Sequence, residues 1–150
     1  MALLTENEFG QVHQVKLSQD ISTLVINHSK TKAKISLYGG QVLGWQPCGE
    51  KEVFWLSKSS AFEQGKAIRG GIPLCWPWFG VSEHQDWPIH GVARTQVWRA
   101  EEVNEKDDYI EVSLSLPMLQ VNKAYWPHET RLNVIFKLSK TLRIMCIFCI

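Results

Sequence analysis

Hydrophobic residues recur at every second position along several stretches of the chain. In DYIEVSLSL, residues 108–116, Ile110, Val112, Leu114 and Leu116 alternate with Glu111, Ser113 and Ser115. TRLNVIFKL, 130–138, repeats the pattern with Leu132, Val134, Phe136 and Leu138. Successive side chains of a strand point to opposite faces, so both segments read as half-buried strands with the apolar side inward. STLVINH (22–28) and AKISLY (33–38) read as two more, separated by the polar turn SKTK. GQVLGWQP (40–47) and EVFWLS (52–57) follow with PCGEK between them, VWRAEEVN opens another strand at 97, and KTLRI begins a last one at 140. Such short polar connections favour antiparallel hairpins over parallel crossovers. Only PMLQVNKAYW, 117–126, predicts a helix, and Pro117 and Pro127 limit it to about two or three turns. Strands in regular succession with almost no amphipathic helix predict an all-β sandwich or barrel.

The 150 residues suffice to bury a core without disulfides or metals. Hydrophobic residues at 45% and charged residues at 21% mark a globular rather than a disordered chain. A formal net charge of +1 leaves no broad basic field, so neither nucleic acid nor an anionic membrane is an expected partner. Any anion must be caught by locally placed residues. MALLTENEFG makes a poor secretion signal and no stretch approaches the roughly 20 apolar residues that span a bilayer, so a soluble cytoplasmic protein is expected. Cys48, Cys75, Cys146 and Cys149 are then thiols rather than bridges. The CxxC at 146–149 lacks a second ligand pair and a following helix, so buried or incidental cysteines are favoured over a metal or redox site.

The irregular block from about 58 to 96 interrupts the strands, and long loops in compact domains tend to carry function. Within it, RGGIPLCWPWFG (69–80) combines paired glycines with two prolines and three aromatic rings. Trp76, Trp78 and Phe79 offer flat faces suited to the CH side of a sugar, though the same rings could plug one end of a sandwich. HGVAR (90–94) is the second motif. Arg69 and Arg94 each carry a guanidinium fork that fits phosphate or carboxylate, while an ion pair with Glu63 or Glu83, or stacking on a tryptophan, is the alternative. His90 sits in a stiff loop, either as a proton donor or hydrogen-bonding residue or as a tie between two loops. The glycine spacing of nucleotide-binding loops is absent.

AIRGGIPLCWPWFG followed closely by PIHGVAR resembles the hexose-6-phosphate mutarotase (glucose-6-phosphate 1-epimerase) branch of the aldose 1-epimerase family. GGQVLGWQP, EVFWLS and the later WPHE extend the similarity over about residues 20–140. The resemblance implies a large antiparallel β-sandwich of galactose mutarotase type, with residues 1–150 the N-terminal portion of a single domain. It implies interconversion of the α and β anomers of a hexose 6-phosphate by general acid-base catalysis, without metal or organic cofactor. The resemblance implies Arg69 and Arg94 as substrate-binding positions on the phosphate; His90, Trp76, Trp78 and Phe79 are added as substrate-binding candidates from the reading of the residues alone. Where many relatives carry a glutamine before the HG pair, this chain has Ile89. The family's catalytic histidine and glutamate are expected beyond residue 150, so no catalytic residue is assigned within the chain. A non-catalytic sugar-phosphate-binding module is the rival expectation.

Overall fold

The computed structural model describes residues 1–117 and 121–149. Nine strands form two antiparallel sheets. The first runs β1 (Ala2–Asn7), β2 (Gly10–Lys16), β3 (Ser22–His28), β4 (Thr31–Ser36), β5 (Gln41–Pro47), in that order. The second runs β6 (Arg99–Glu105), β7 (Ile110–Leu116), β8 (Arg131–Leu138), β9 (Leu142–Cys149). Within each sheet consecutive strands are neighbours, as short hairpin connections require. Among the described residues no helix is long and apolar enough to cross a membrane.

The period-two pattern becomes the core. Val112 faces Phe136 and Leu114 faces Val134 across β7 and β8, and all four are fully buried. Leu24, Ile26, Ile35 and Val42 of the first sheet join the same apolar cluster, so the sheets pack face to face as a sandwich. Near-complete burial of one such side chain contributes about 1.5–3 kcal/mol, which is why alternation outweighs every local preference here.

Two expectations are corrected. EVFWLS is no strand: apart from a single bridge from Leu56 to Gly70 it runs irregularly, with Val53 and Trp55 exposed. The Glu52 carboxylate accepts the Trp45 N–H, taking a backbone donor that a sixth strand would have used. The helix expected at 117–126 is not formed over residues 121–126. Met118, Leu119 and Gln120 lie outside the described residues, and the remainder forms a turn in which Asn122 accepts the Tyr125 N–H through its carbonyl and the Ala124 N–H through Oδ1. Asparagine competes with helix in this way. The cysteines are free thiols, with Cys48, Cys146 and Cys149 exposed and Cys75 half-buried. Their odd spacing on β9 sends Cys146 and Cys149 to opposite faces.

The N-terminal hairpin adds an element that alternation did not announce. Asn7 Oδ1 accepts the N–H groups of Phe9 (2.9 Å) and Gly10 (3.3 Å), closing the β1–β2 turn. Where β1 meets β6, His28 links the sheets: Nδ1 accepts the Lys30 N–H, so the protonated Nε2 donates to the Lys106 carbonyl at 2.7 Å. Beside it, both Glu105 carboxylate oxygens are buried without a hydrogen bond of normal geometry. Burial pushes the Glu105 carboxyl pKa up; His28 and the Thr5 hydroxyl oppose this in part, and Glu6 adds to it.

A carboxyl whose folded pKa is raised costs stability once pH climbs through the unfolded carboxylate range, and the penalty is complete above the folded pKa. Glu105→Gln is therefore expected to be more stable than the parent chain at pH 7, with the gap closing as pH falls below the ordinary carboxylate range. Urea unfolding at both pH values checks this; a substituted chain less stable than the parent at pH 7 would contradict it.

Candidate functional site

Between β5 and β6 the chain leaves regular structure, and the two motifs singled out in the sequence lie in this stretch. They are bound to each other. Trp76 and Gly91 form a parallel bridge, and the Trp76 carbonyl accepts the Val92 N–H at 2.8 Å. The Gly80 carbonyl accepts the His90 N–H at 2.8 Å, while His90 Nδ1 accepts the Gly80 N–H at 2.9 Å. Trp78 Nε1 donates to the Pro88 carbonyl at 3.0 Å. His90 thus ties two loops together, and the tie has a chemical result. With Nδ1 used as an acceptor, the neutral ring carries its proton on Nε2. That donor is unspent among the described residues.

Both motifs also rest on the β4–β5 hairpin. Ile72 bridges Val42, and Gly71 lies so close that a Cβ there would stand 2.0 Å from the Val42 carbonyl oxygen. Its φ of +62° is in the left-handed region as well, so both space and conformation require glycine. At the hairpin turn, a Cβ on Gly39 would meet the Arg94 carbonyl at 2.7 Å, and the Gly39 N–H donates to the Gln96 carbonyl at 2.7 Å. Trp98, 1% exposed, anchors this side, its indole N–H donating to the Ala93 carbonyl.

Arg69 is held by its backbone and free at its tip. Its N–H donates to Ser60 Oγ and its carbonyl accepts the Ser57 N–H. The guanidinium is exposed, without ion pair or hydrogen bond among the described residues. The ion pair with Glu63 is not made, because Glu63 pairs with Lys66 instead. Arg94 sits in a single 3-10 turn, Ala93–Thr95, and its Nη2 donates to the Ile89 carbonyl at 2.7 Å. Its Nε is buried without a partner. An unpaired buried donor costs free energy, so an acceptor reaching it would be bound with gain.

The rings divide into two roles. Trp76 and Trp78 are half-buried and pack on the main core. Trp76 meets Trp126 edge-on at 5.1 Å, and Trp78 packs with Trp87 and Tyr125, so both largely close the end of the sandwich. Phe79 is 80% exposed beside the His90 ring at 4.6 Å. Trp55, 70% exposed, was hidden from sequence reading inside an expected strand; its carbonyl accepts the Gly71 N–H, which sets it next to the RGG turn. Gln41 was also missed: this buried amide donates to the Ile68 and Gly70 carbonyls on either side of Arg69. Among the described residues no group of three metal-binding side chains occurs.

The aldose 1-epimerase family model matches residues 22–148, from β3 through β9 with both loops. The chain belongs to the aldose 1-epimerase family. Two curated members named "Putative glucose-6-phosphate 1-epimerase", from Salmonella typhimurium and Escherichia coli, are 41% and 39% identical over 125 residues. Each alignment covers 83% of this chain and 42% of the relative, so the chain spans less than half the length of these epimerases. The crystal structure of a "putative mutarotase" from Salmonella typhimurium superposes with a TM-score of 0.88 at 36% identity, covering 99% of this chain and 49% of that one. The fold is accordingly the mutarotase β-sandwich.

In this epimerase-type fold Gly71→Ala is expected to cost more than the roughly 1–2 kcal/mol of the left-handed conformation alone, because the RGG turn must also lift off Val42. Denaturant unfolding reads the loss directly. A cost under about 1 kcal/mol would show that the turn is not pressed against β5.

Proposed function

We propose that the interlocked loops bind a hexose 6-phosphate, and that they form the substrate-holding part of an aldose 1-epimerase site for that sugar class. The observation that supports this most is the pair of unspent arginines: the free Arg69 fork and the partnerless buried Nε of Arg94 lie on loops seated on one hairpin. A phosphate takes several charge-assisted N–H donors at once, whereas a neutral sugar hydroxyl does not need two guanidinium groups. Phe79 and Trp55 supply exposed apolar faces for the ring, and His90 Nε2 supplies a neutral donor for a hydroxyl. Trp76 and Trp78 support them from beneath.

The reaction of such a site is proton traffic around one carbon. A base removes the proton of the anomeric hydroxyl while an acid protonates the ring oxygen, and the C1–O5 bond opens to the aldehyde. Rotation about C1–C2 and reclosure, with both protons returned, give the other anomer. Electrons and atoms balance without an external oxidant or reductant, so the reaction calls for no cofactor. Within this chain the residues bind and orient; no residue is assigned as the base or acid, and residues 1–150 are read as the N-terminal portion of the mutarotase domain.

Arg69→Ala is expected to weaken glucose 6-phosphate binding about ten-fold or more, since a charge-assisted contact contributes about 1.5–3 kcal/mol. Binding of unphosphorylated glucose should change far less. Arg94→Ala should weaken both sugars, because the Ile89 carbonyl and the His90 loop lose their tie as the phosphate loses a donor. NMR titration measures these affinities, and exchange spectroscopy on the same samples reads the α/β interconversion rate against buffer. Exchange above buffer establishes the epimerase reading and binding alone establishes the module; equal losses for both sugars in Arg69→Ala would remove the phosphate assignment.

A further inference from the structure

The selectivity of a phosphate site depends on how firmly its guanidinium is presented. The Arg69 segment has a holder that belongs neither to its own loop nor to HGVAR. Gln41 opens β5, is 1% exposed, and lies beneath the RGG turn. Its Nε2 donates to the Gly70 carbonyl at 2.5 Å and to the Ile68 carbonyl at 3.4 Å. Both partners are pure acceptors, so the amide must turn its NH2 toward them. Carbonyls 68 and 70 point one way and carbonyl 69 the other, toward the Ser57 N–H. The side chain of Gln41 therefore stands in for a neighbouring strand, and Arg69 is pinned along both backbone edges with only its guanidinium left to move.

We propose that Gln41 is a positioning residue that sets phosphate selectivity by fixing the backbone on both sides of Arg69. This rests on the reading of Arg69 as a phosphate contact. A buried amide serving only the core would lower affinity for every ligand in step with stability. A residue acting through Arg69 lowers affinity for the phosphorylated sugar, and only while Arg69 is present. Holding the backbone that presents the guanidinium in its bound conformation saves ordering cost at the moment of binding, which is where the selectivity arises.

The test is a double-mutant cycle on the full chain, read as NMR affinities for glucose 6-phosphate and for glucose. Gln41→Met keeps length and apolar volume but loses both donors. It is expected to weaken glucose 6-phosphate about five-fold, to leave glucose within about two-fold, and to have no further effect in the Arg69→Ala background. Should the Met variant not fold, Gln41→Glu keeps the shape and, protonated, one of the two donors, and its cycle is expected to show the same dependence on Arg69 with a smaller loss. Losses that multiply in the Arg69→Ala background, or that fall equally on both sugars, would overturn the role of Gln41 alone. Absence of glucose 6-phosphate binding by the unsubstituted chain would overturn the phosphate reading itself and this inference with it.

Discussion

Close backbone packing at the β4–β5 turn is the constraint on which the rest of the site depends. Three successive residues each hold a different part of the loop region. Gly39 abuts the Arg94 backbone, Gly40 would place a Cβ 3.0 Å from the Trp98 ring, and Gln41 reaches the carbonyls around Arg69. Because these three are consecutive in a hairpin whose β4 strand is paired along its length with β3, the loops carrying the two arginines cannot shift independently. A rigid sheet thereby sets the spacing of groups that lie about 25 residues apart in sequence. The irregular loops are ordered by docking on this hairpin together with the hydrogen bonds between them.

That arrangement separates structural from chemical use of polar groups. Backbone donors and acceptors of the loops are spent on each other: Trp76 on Val92, Gly80 on His90, Ser57 on Arg69. Within the two motifs, among the described residues, the charged and imidazole donors that remain unspent are the Arg69 fork, Arg94 Nε and His90 Nε2. A site built this way favours an anion without a basic field over the whole surface, consistent with a formal net charge of +1. Little conformational entropy is left to lose when a ligand arrives, because the presenting backbone is already fixed.

Much of the sandwich was legible because burial is periodic. β3, β7 and β8 fall where alternation puts them, and Leu114 and Phe136 are buried as the pattern requires. EVFWLS misled because an apolar run carries no information about whether a neighbouring strand has a free edge; Glu52 had already filled that place. The loop motifs were legible as unusual composition, and their arginines could be named, but their mutual bonding could not, since it depends on contacts between residues such as Gly39 and Arg94. Gln41 escaped notice for the same reason. A polar residue at the start of a strand looks like a turn residue until its burial is known, and the doubled glycine before it was the only local hint that another backbone passes close by.

The central claim, that the hairpin-mounted arginines meet a phosphate, is tested most directly by following the side-chain Nε–H resonances of Arg69 and Arg94 in a nitrogen-15-labelled chain. Addition of glucose 6-phosphate should move both resonances and slow their exchange with water, Arg94 Nε most of all because its donor is buried and unpaired. Glucose at the same occupancy should move His90 and Phe79 signals while leaving the arginines nearly unchanged. Arginine resonances that stay still with glucose 6-phosphate bound would contradict the claim and place the phosphate elsewhere on the molecule.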